Sequence, residues 1–191
     1  SADVCAAGNL FVTETDAIEI DTVSAITVQR VGTDGATLTP TTDATQSDIT
    51  AGTGSVVVNA TDITVNGGGD TTGITTSGSG NVLLNARSGN ITVNAIVDGG
   101  TGNISLNASG NVTLAATTGT QAFTGVLRTD NATIDVKAGD TVKMINGSTI
   151  TSKGGDIRFE ALNNIEVSYV DATTVDPSKA GNVALITTAG S

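Results

Sequence analysis

The side chains able to do chemistry are few and mostly of one kind. The 191 residues hold 19 Asp and Glu against 8 Lys and Arg, with no His and one Cys, Cys5. A zinc site draws on His and Cys, and a Ser or Cys nucleophile needs a histidine base, so both chemistries are excluded. Carboxylates remain. Asp16, Glu19 and Asp21 fall close together, while Asp70 and Asp98 sit in the glycine-rich segments Gly67-Gly68-Gly69-Asp70 and Asp98-Gly99-Gly100. Oxygen ligands on such loops suit calcium, a hard cation. Neither segment runs on into the Gly-Gly-x-Gly-x-Asp arrays of calcium-binding β-rolls. These acids therefore read as a solvated surface, with no cofactor expected and calcium as the alternative. Paired acids also hydrolyse glycosidic bonds. With three Phe, one Tyr and no Trp, the chain has little with which to build the aromatic platforms of a sugar-processing groove, and it is expected not to be an enzyme.

The net charge of −11 repels nucleic-acid phosphates and anionic membrane surfaces, so neither is expected as a partner. No window reaches about 18 consecutive apolar residues, so no membrane insertion is expected. Ser1-Ala2-Asp3-Val4 lacks the basic and apolar regions of a signal peptide, so any targeting segment is expected to have been removed or to lie elsewhere. Cys5 alone cannot close an internal disulfide.

What would position these residues is a repeat. Gly80-Asn81-Val82-Leu83-Leu84-Asn85-Ala86, Gly89-Asn90-Ile91-Thr92-Val93-Asn94-Ala95, Gly102-Asn103-Ile104-Ser105-Leu106-Asn107-Ala108 and Gly110-Asn111-Val112-Thr113-Leu114-Ala115-Ala116 are one phrase written four times. Looser copies lie upstream, from Gly8-Asn9-Leu10-Phe11-Val12 through Ile18-Glu19-Ile20, Ile26-Thr27-Val28, Val56–Ala60 and Ile63–Asn66. Others lie downstream, at 134–138, 142–144, 157–161, 165–167 and 181–185. Apolar residues at i and i+2 have the period of a strand. The Gly-Asn pairs are expected at corners, where both residue types tolerate left-handed backbone.

Units start in pairs 8 or 9 residues apart, and successive pairs recur after about 22 residues (82 to 104, 91 to 112, 112 to 134, 134 to 157, 142 to 165). Short strands cannot bury an apolar face alone, but stacked coils can. The spacing predicts an all-β parallel β-solenoid of about eight or nine coils, with two strands and a longer connection per coil. At about 4.8 Å per coil it would be roughly 40 Å long. Its core would be narrow aliphatic layers without space for rings, with the recurring Ala60, Ala86, Ala95, Ala108, Ala116, Ala138 and Ala161 at inward corners. Residues between the inward ones are mostly polar, with Phe11, Val57 and Leu83 the exceptions. Among them, Asp135 and Arg158 are 23 apart, as are Lys143 and Glu166; on adjacent coils they become exposed ion pairs rather than a catalytic cluster.

The phrases at 89–95 and 110–114 resemble the repeats of filamentous-haemagglutinin-like proteins and other large repetitive bacterial surface adhesins. That resemblance implies a right-handed parallel β-helix, secretion to the bacterial cell surface, and a stalk or adhesive role; it assigns no functional residues. Residues 1–191 are read as one β-solenoid module, a segment of a longer chain or a stacking fibre subunit, with irregular loops near 33–54 and 117–130. The expected function is a non-catalytic rod of an adhesin or extracellular fibre, self-associating by end-to-end stacking or joined to further repeats. The alternatives are a glycan- or receptor-binding module using loops 33–54 and 66–80, and more remotely a polysaccharide-degrading β-helix enzyme.

Overall fold

A computed structural model of the chain describes residues 2–4, 7–115 and 125–189. Cys5, Ala116 and much of the expected loop at 117–130 lie outside them. The described residues are all-β apart from one 3-10 turn, Pro177–Lys179. The first coil holds β1 (Ala2–Val4), β2 (Leu10–Thr13) and β3 (Ile18–Ile20), and is followed by β4 (Ile26–Val31) and β5 (Leu38–Asp43). Then come β6 (Ile49–Ala51), β7 (Val56–Ala60) and β8 (Ile63–Val65), and next β9 (Thr72–Thr76), β10 (Val82–Ala86) and β11 (Ile91–Val93). The fourth coil is β12 (Ile96–Asp98), β13 (Ile104–Ala108) and β14 (Val112–Leu114), and the fifth is β15 (Val126–Arg128), β16 (Ile134–Ala138) and β17 (Val142–Met144). A sixth, β18 (Thr149–Thr151), β19 (Ile157–Ala161) and β20 (Ile165–Glu166), precedes β21 (Tyr169–Asp171) and β22 (Val183–Thr187).

Among the described residues equivalent strands pair in parallel around a single core, in a first sheet β1-β6-β9-β12-β15-β18-β21, a second β2-β7-β10-β13-β16-β19-β22 and a third, of six strands, β3-β8-β11-β14-β17-β20. The β-solenoid expected from the repeat is thus present, with fewer and wider coils. Six coils of three strands are followed by two strands of a seventh, about 30 Å of stack at about 4.8 Å per coil. Equivalent residues along one column are 46, 26, 22 and 30 apart, and later 23 and 26 apart. The 22-residue period holds locally because matched inward faces set the register, and connections absorb the difference.

Three expectations are corrected. The strand that opens each coil escaped the period argument because it is short and often has one inward side chain, as in β12, β15 and β18, where Val97, Leu127 and Ile150 are fully buried. Part of the stretch read as irregular loop, Val126–Arg128, is such a strand. Next, the spacing sets Val112 beside Ile134, but Ile134 pairs with Ile104 and Val112 with Val142. The intervening coil is longer, and pairing like strand with like keeps all three inward rows continuous. Finally, Ile26-Thr27-Val28 is no solenoid strand. It belongs to an antiparallel hairpin with β5 whose residues are nearly all exposed.

The core follows the alternation. Val56, Val82, Ile104, Ile134 and Ile157 stack in one buried column, Ile63, Ile91, Val112 and Val142 in another. Ala60, Ala86, Ala108, Ala138 and Ala161 form the expected corner column, and Ala95 is buried beside β11. The layers do admit a ring, since Phe159 is fully buried between Val136 and Leu185.

Candidate functional site

The outward surface is built from ladders that run along the stack. At the corner entering the second sheet, Ser55 N–H donates to Asn9 Oδ1 (2.8 Å), Asn81 N–H to Ser55 Oγ (3.1 Å), Asn103 N–H to Asn81 Oδ1 (2.9 Å) and Thr133 N–H to Asn103 Oδ1 (2.9 Å). Asp156 accepts from Asn182 N–H in the same way at 2.7 Å, and this contact holds its carboxyl below the usual range. A second ladder joins Asp62, Asn90, Asn111 and Thr141 at the next corner. Within the second sheet, Asn107 and Asn85 pass amide hydrogen bonds to Asn85 and Asn59, each 2.9 Å.

These ladders explain the Asn of the Gly-Asn phrase, and the glycine has a separate cause. Positive φ occurs at Asp48, Asn131, Lys153 and at Gly35, Gly68, Gly100, Gly147 and Gly154, none of them in the repeated Gly-Asn pairs. Instead, a Cβ on Gly54, Gly80 or Gly102 would be driven into the carbonyl oxygen of Gly8, Gly54 or Gly80 in the preceding coil. At that corner backbone stacks on backbone, whereas at the next corner a Cβ on Gly89 or Gly110 would meet first the Asp62 carboxylate or the Asn90 amide oxygen.

Further along, the amide column of Asn59, Asn85 and Asn107 continues as Lys137 and Glu160, an ion pair at 3.0 Å. Beside it, Arg158 bonds Asp135 at 2.9 Å and also meets Glu160. Lys143 and Glu166 approach to 3.8 Å. Both charge pairs expected from the 23-residue spacing are therefore formed, half-exposed and mutually neutralised.

Four of the five acids weighed as calcium ligands are taken up by protein donors. Glu19 and Asp21 both accept from the Asn66 amide, at 2.5 and 3.1 Å. Asp70 caps Thr72 N–H at 2.6 Å. Asp98 accepts Gly100 N–H and is paired with Arg128 at 2.7 Å, while Asp16 is exposed. Among the described residues no group of three His, Cys, Asp or Glu side chains is arranged to hold a metal ion. One acid that sequence reasoning passed over is Asp48. Its φ is +67° and its Oδ1 is buried without a hydrogen-bond partner. Burial, and then the nearby Asp70 and Asp21 charges, push its carboxyl above the usual range. No periodicity marks it, because it sits in the turn leading into β6.

An open groove on the first sheet is lined by Asp98, Arg128, Asp130 and Lys153, with Thr173 and Thr174 at its continuation. Buried hydroxyls at Thr76, Thr129 (which also lines the groove) and Ser152 each donate to a carbonyl of their own coil, at Gly80, Ala132 and Gly155. They satisfy corner carbonyls that would otherwise be stranded. The arrangement defines a β-solenoid repeat protein whose outward faces are amide ladders and paired charges. Compared with known proteins, the chain matches no family model, no curated protein and no solved structure.

Proposed function

We propose that the chain is a non-catalytic rod of a secreted or cell-surface adhesin or extracellular fibre. The observation that carries this reading is the continuous apolar core beneath faces whose polar side chains are largely spent on one another along the stack. Such ladders stiffen a rod and leave few convergent groups for chemistry. The outer strand β22 supports end-to-end association, by further repeats or another copy, because Val183, Leu185 and Ile186 are 42%, 50% and 41% exposed. Stacking would cover them and extend three parallel ladders.

A second reading is a glycan- or receptor-binding module. It is favoured by the exposed β4–β5 hairpin, which a rigid rod would hold away from its side. One experiment tests both readings. The purified chain is screened on a glycan array and on polysaccharides for released reducing ends, beside a variant with residues 26–43 replaced by a short Gly-Ser linker. A rod predicts no released sugar and no glycan binding that depends on the hairpin. Hairpin-dependent binding would move the assignment to the second reading, and released sugar would overturn both.

A further inference from the structure

The β4–β5 hairpin is a sheet with neither face buried: all of β4 is exposed, and in β5 only Thr41 is partly covered. An isolated two-stranded hairpin is marginal in water, so its two outer edges matter. Gly32 N–H donates to the Thr37 carbonyl at 2.8 Å, and the register pairs Val31 with Leu38 and Gln29 with Pro40. Ladder bonds alternate in an antiparallel pair. Arg30, Val28 and Ile26 therefore bond inward to β5, whereas the backbone N–H and C=O groups of Thr27, Gln29 and Val31 point out from β4. Among the described residues, no backbone hydrogen bond from those three reaches another part of the chain. Pro40 sits at an outward-pointing position of β5, so the edge of β5 lacks a donor at its middle while the hairpin's own ladder is intact. One edge is blunted and the other is open.

We propose that the open edge of β4 pairs antiparallel with β4 of a second copy, about a two-fold axis through Gln29, to form a four-stranded sheet in the order β5-β4-β4-β5. The edge is self-complementary. Gln29 faces Gln29 of the other copy, and both backbone groups of Thr27 meet those of Val31. Arg30, the one cation of the hairpin, falls opposite Val28 and never opposite itself. Asp34 and Asp43 lie away from the axis, in the turn and at the far end of β5. Because a two-fold contact closes on itself, this association is lateral, distinct from stacking through β22. Six strand residues per copy make a small interface, and the expected affinity is micromolar.

Sedimentation equilibrium of the full chain, from low micromolar to a few hundred micromolar, tests this. The expected result is a reversible dimer. Gln29→Pro removes the central outward donor without removing a hairpin ladder bond, and should give a monomer with an unchanged far-ultraviolet spectrum and melting midpoint. Gln29→Lys and Gln29→Glu each place like charges face to face across the axis and should weaken the dimer about tenfold or more. Mixing these two variants should restore association. A chain that stays monomeric throughout, or a dimer that survives Gln29→Pro but is lost in Leu185→Glu, overturns the proposal. The second outcome would assign self-association to the stack ends and leave the rod reading standing.

Discussion

Asn103 donates both its backbone N–H (2.9 Å) and its side-chain amide (3.1 Å) to the single Oδ1 of Asn81, one coil below. Its own Oδ1 then accepts from the N–H and hydroxyl of Thr133. The residue is thus a link that both receives and passes on the ladder.

Replacing Asn103 by Ala breaks the ladder in both directions. A loss of about 1–2 kcal/mol in urea unfolding is expected, from hydrogen bonds worth about 0.5–1.5 kcal/mol each. Asn103→Asp keeps the acceptor for Thr133 and should recover most of that loss, as Asp156 serves the same column beneath Asn182. Equal losses for the two variants would mean that the ladder contributes nothing through its acceptor.

Gly80→Ala should cost roughly 1–3 kcal/mol or more, since the new methyl would meet the Gly54 carbonyl and the coils would have to separate. Gly69→Ala is the control. A Cβ there has open space, and the change should be neutral or stabilising by about 0.4–1 kcal/mol through the unfolded chain. Thermal denaturation of both variants checks the contrast.

The Asp135–Arg158 pair is exposed on both sides, whereas in Lys137–Glu160 the lysine is half-exposed and the Glu160 carboxylate only 18% exposed. Double-mutant cycles should give coupling energies of about 0.2–1 kcal/mol per pair, falling as salt is raised. A coupling that salt does not change would mean that the pairs are effectively desolvated.

Two acids should oppose each other in pH dependence. The carboxyl of Asp156 is held below its unfolded value by the Asn182 N–H. Its contribution is present above the ordinary Asp range near pH 4 and is lost as the pH falls through the lowered folded value. Asp156→Asn should blunt that acid-side loss. The carboxyl of Asp48 is raised by burial and by Asp70 and Asp21. The folded state therefore binds the extra proton, and stability falls as pH rises from the ordinary range through the raised value. Asp48→Asn, which tolerates the positive φ at that position, should raise the melting midpoint at pH 7. The gain should vanish at pH 3; a gain of equal size at both pH values would place its origin outside the charge.

Much of the interior was legible from local chemistry. Alternation at Val82-Leu83-Leu84 and its copies marked strands and their inward faces, and the 23-residue steps from Asp135 to Arg158 and from Lys143 to Glu166 foretold real neighbours. Asp48 was not legible, since an unpartnered buried oxygen depends on what packs over it. The role of Gly-Asn was legible only in part. Its place at corners could be read, but its cause lies in contacts between coils that no single unit contains.

By itself the sequence determined that this chain stacks short strands around an aliphatic core, because period-2 alternation has one burial-compatible outcome and a 3-to-5-residue strand cannot bury its face alone. The tertiary structure alone decided how many coils there are, that each has three strands, that Ile134 lies over Ile104, and that residues 26–43 leave the stack as a hairpin. Those outcomes depend on connection lengths and on which strand finds which partner across 20 to 47 residues of the stack. Parallel pairing selects matching inward rows and is nearly indifferent to the number of residues between them, since loop closure grows only slowly with length.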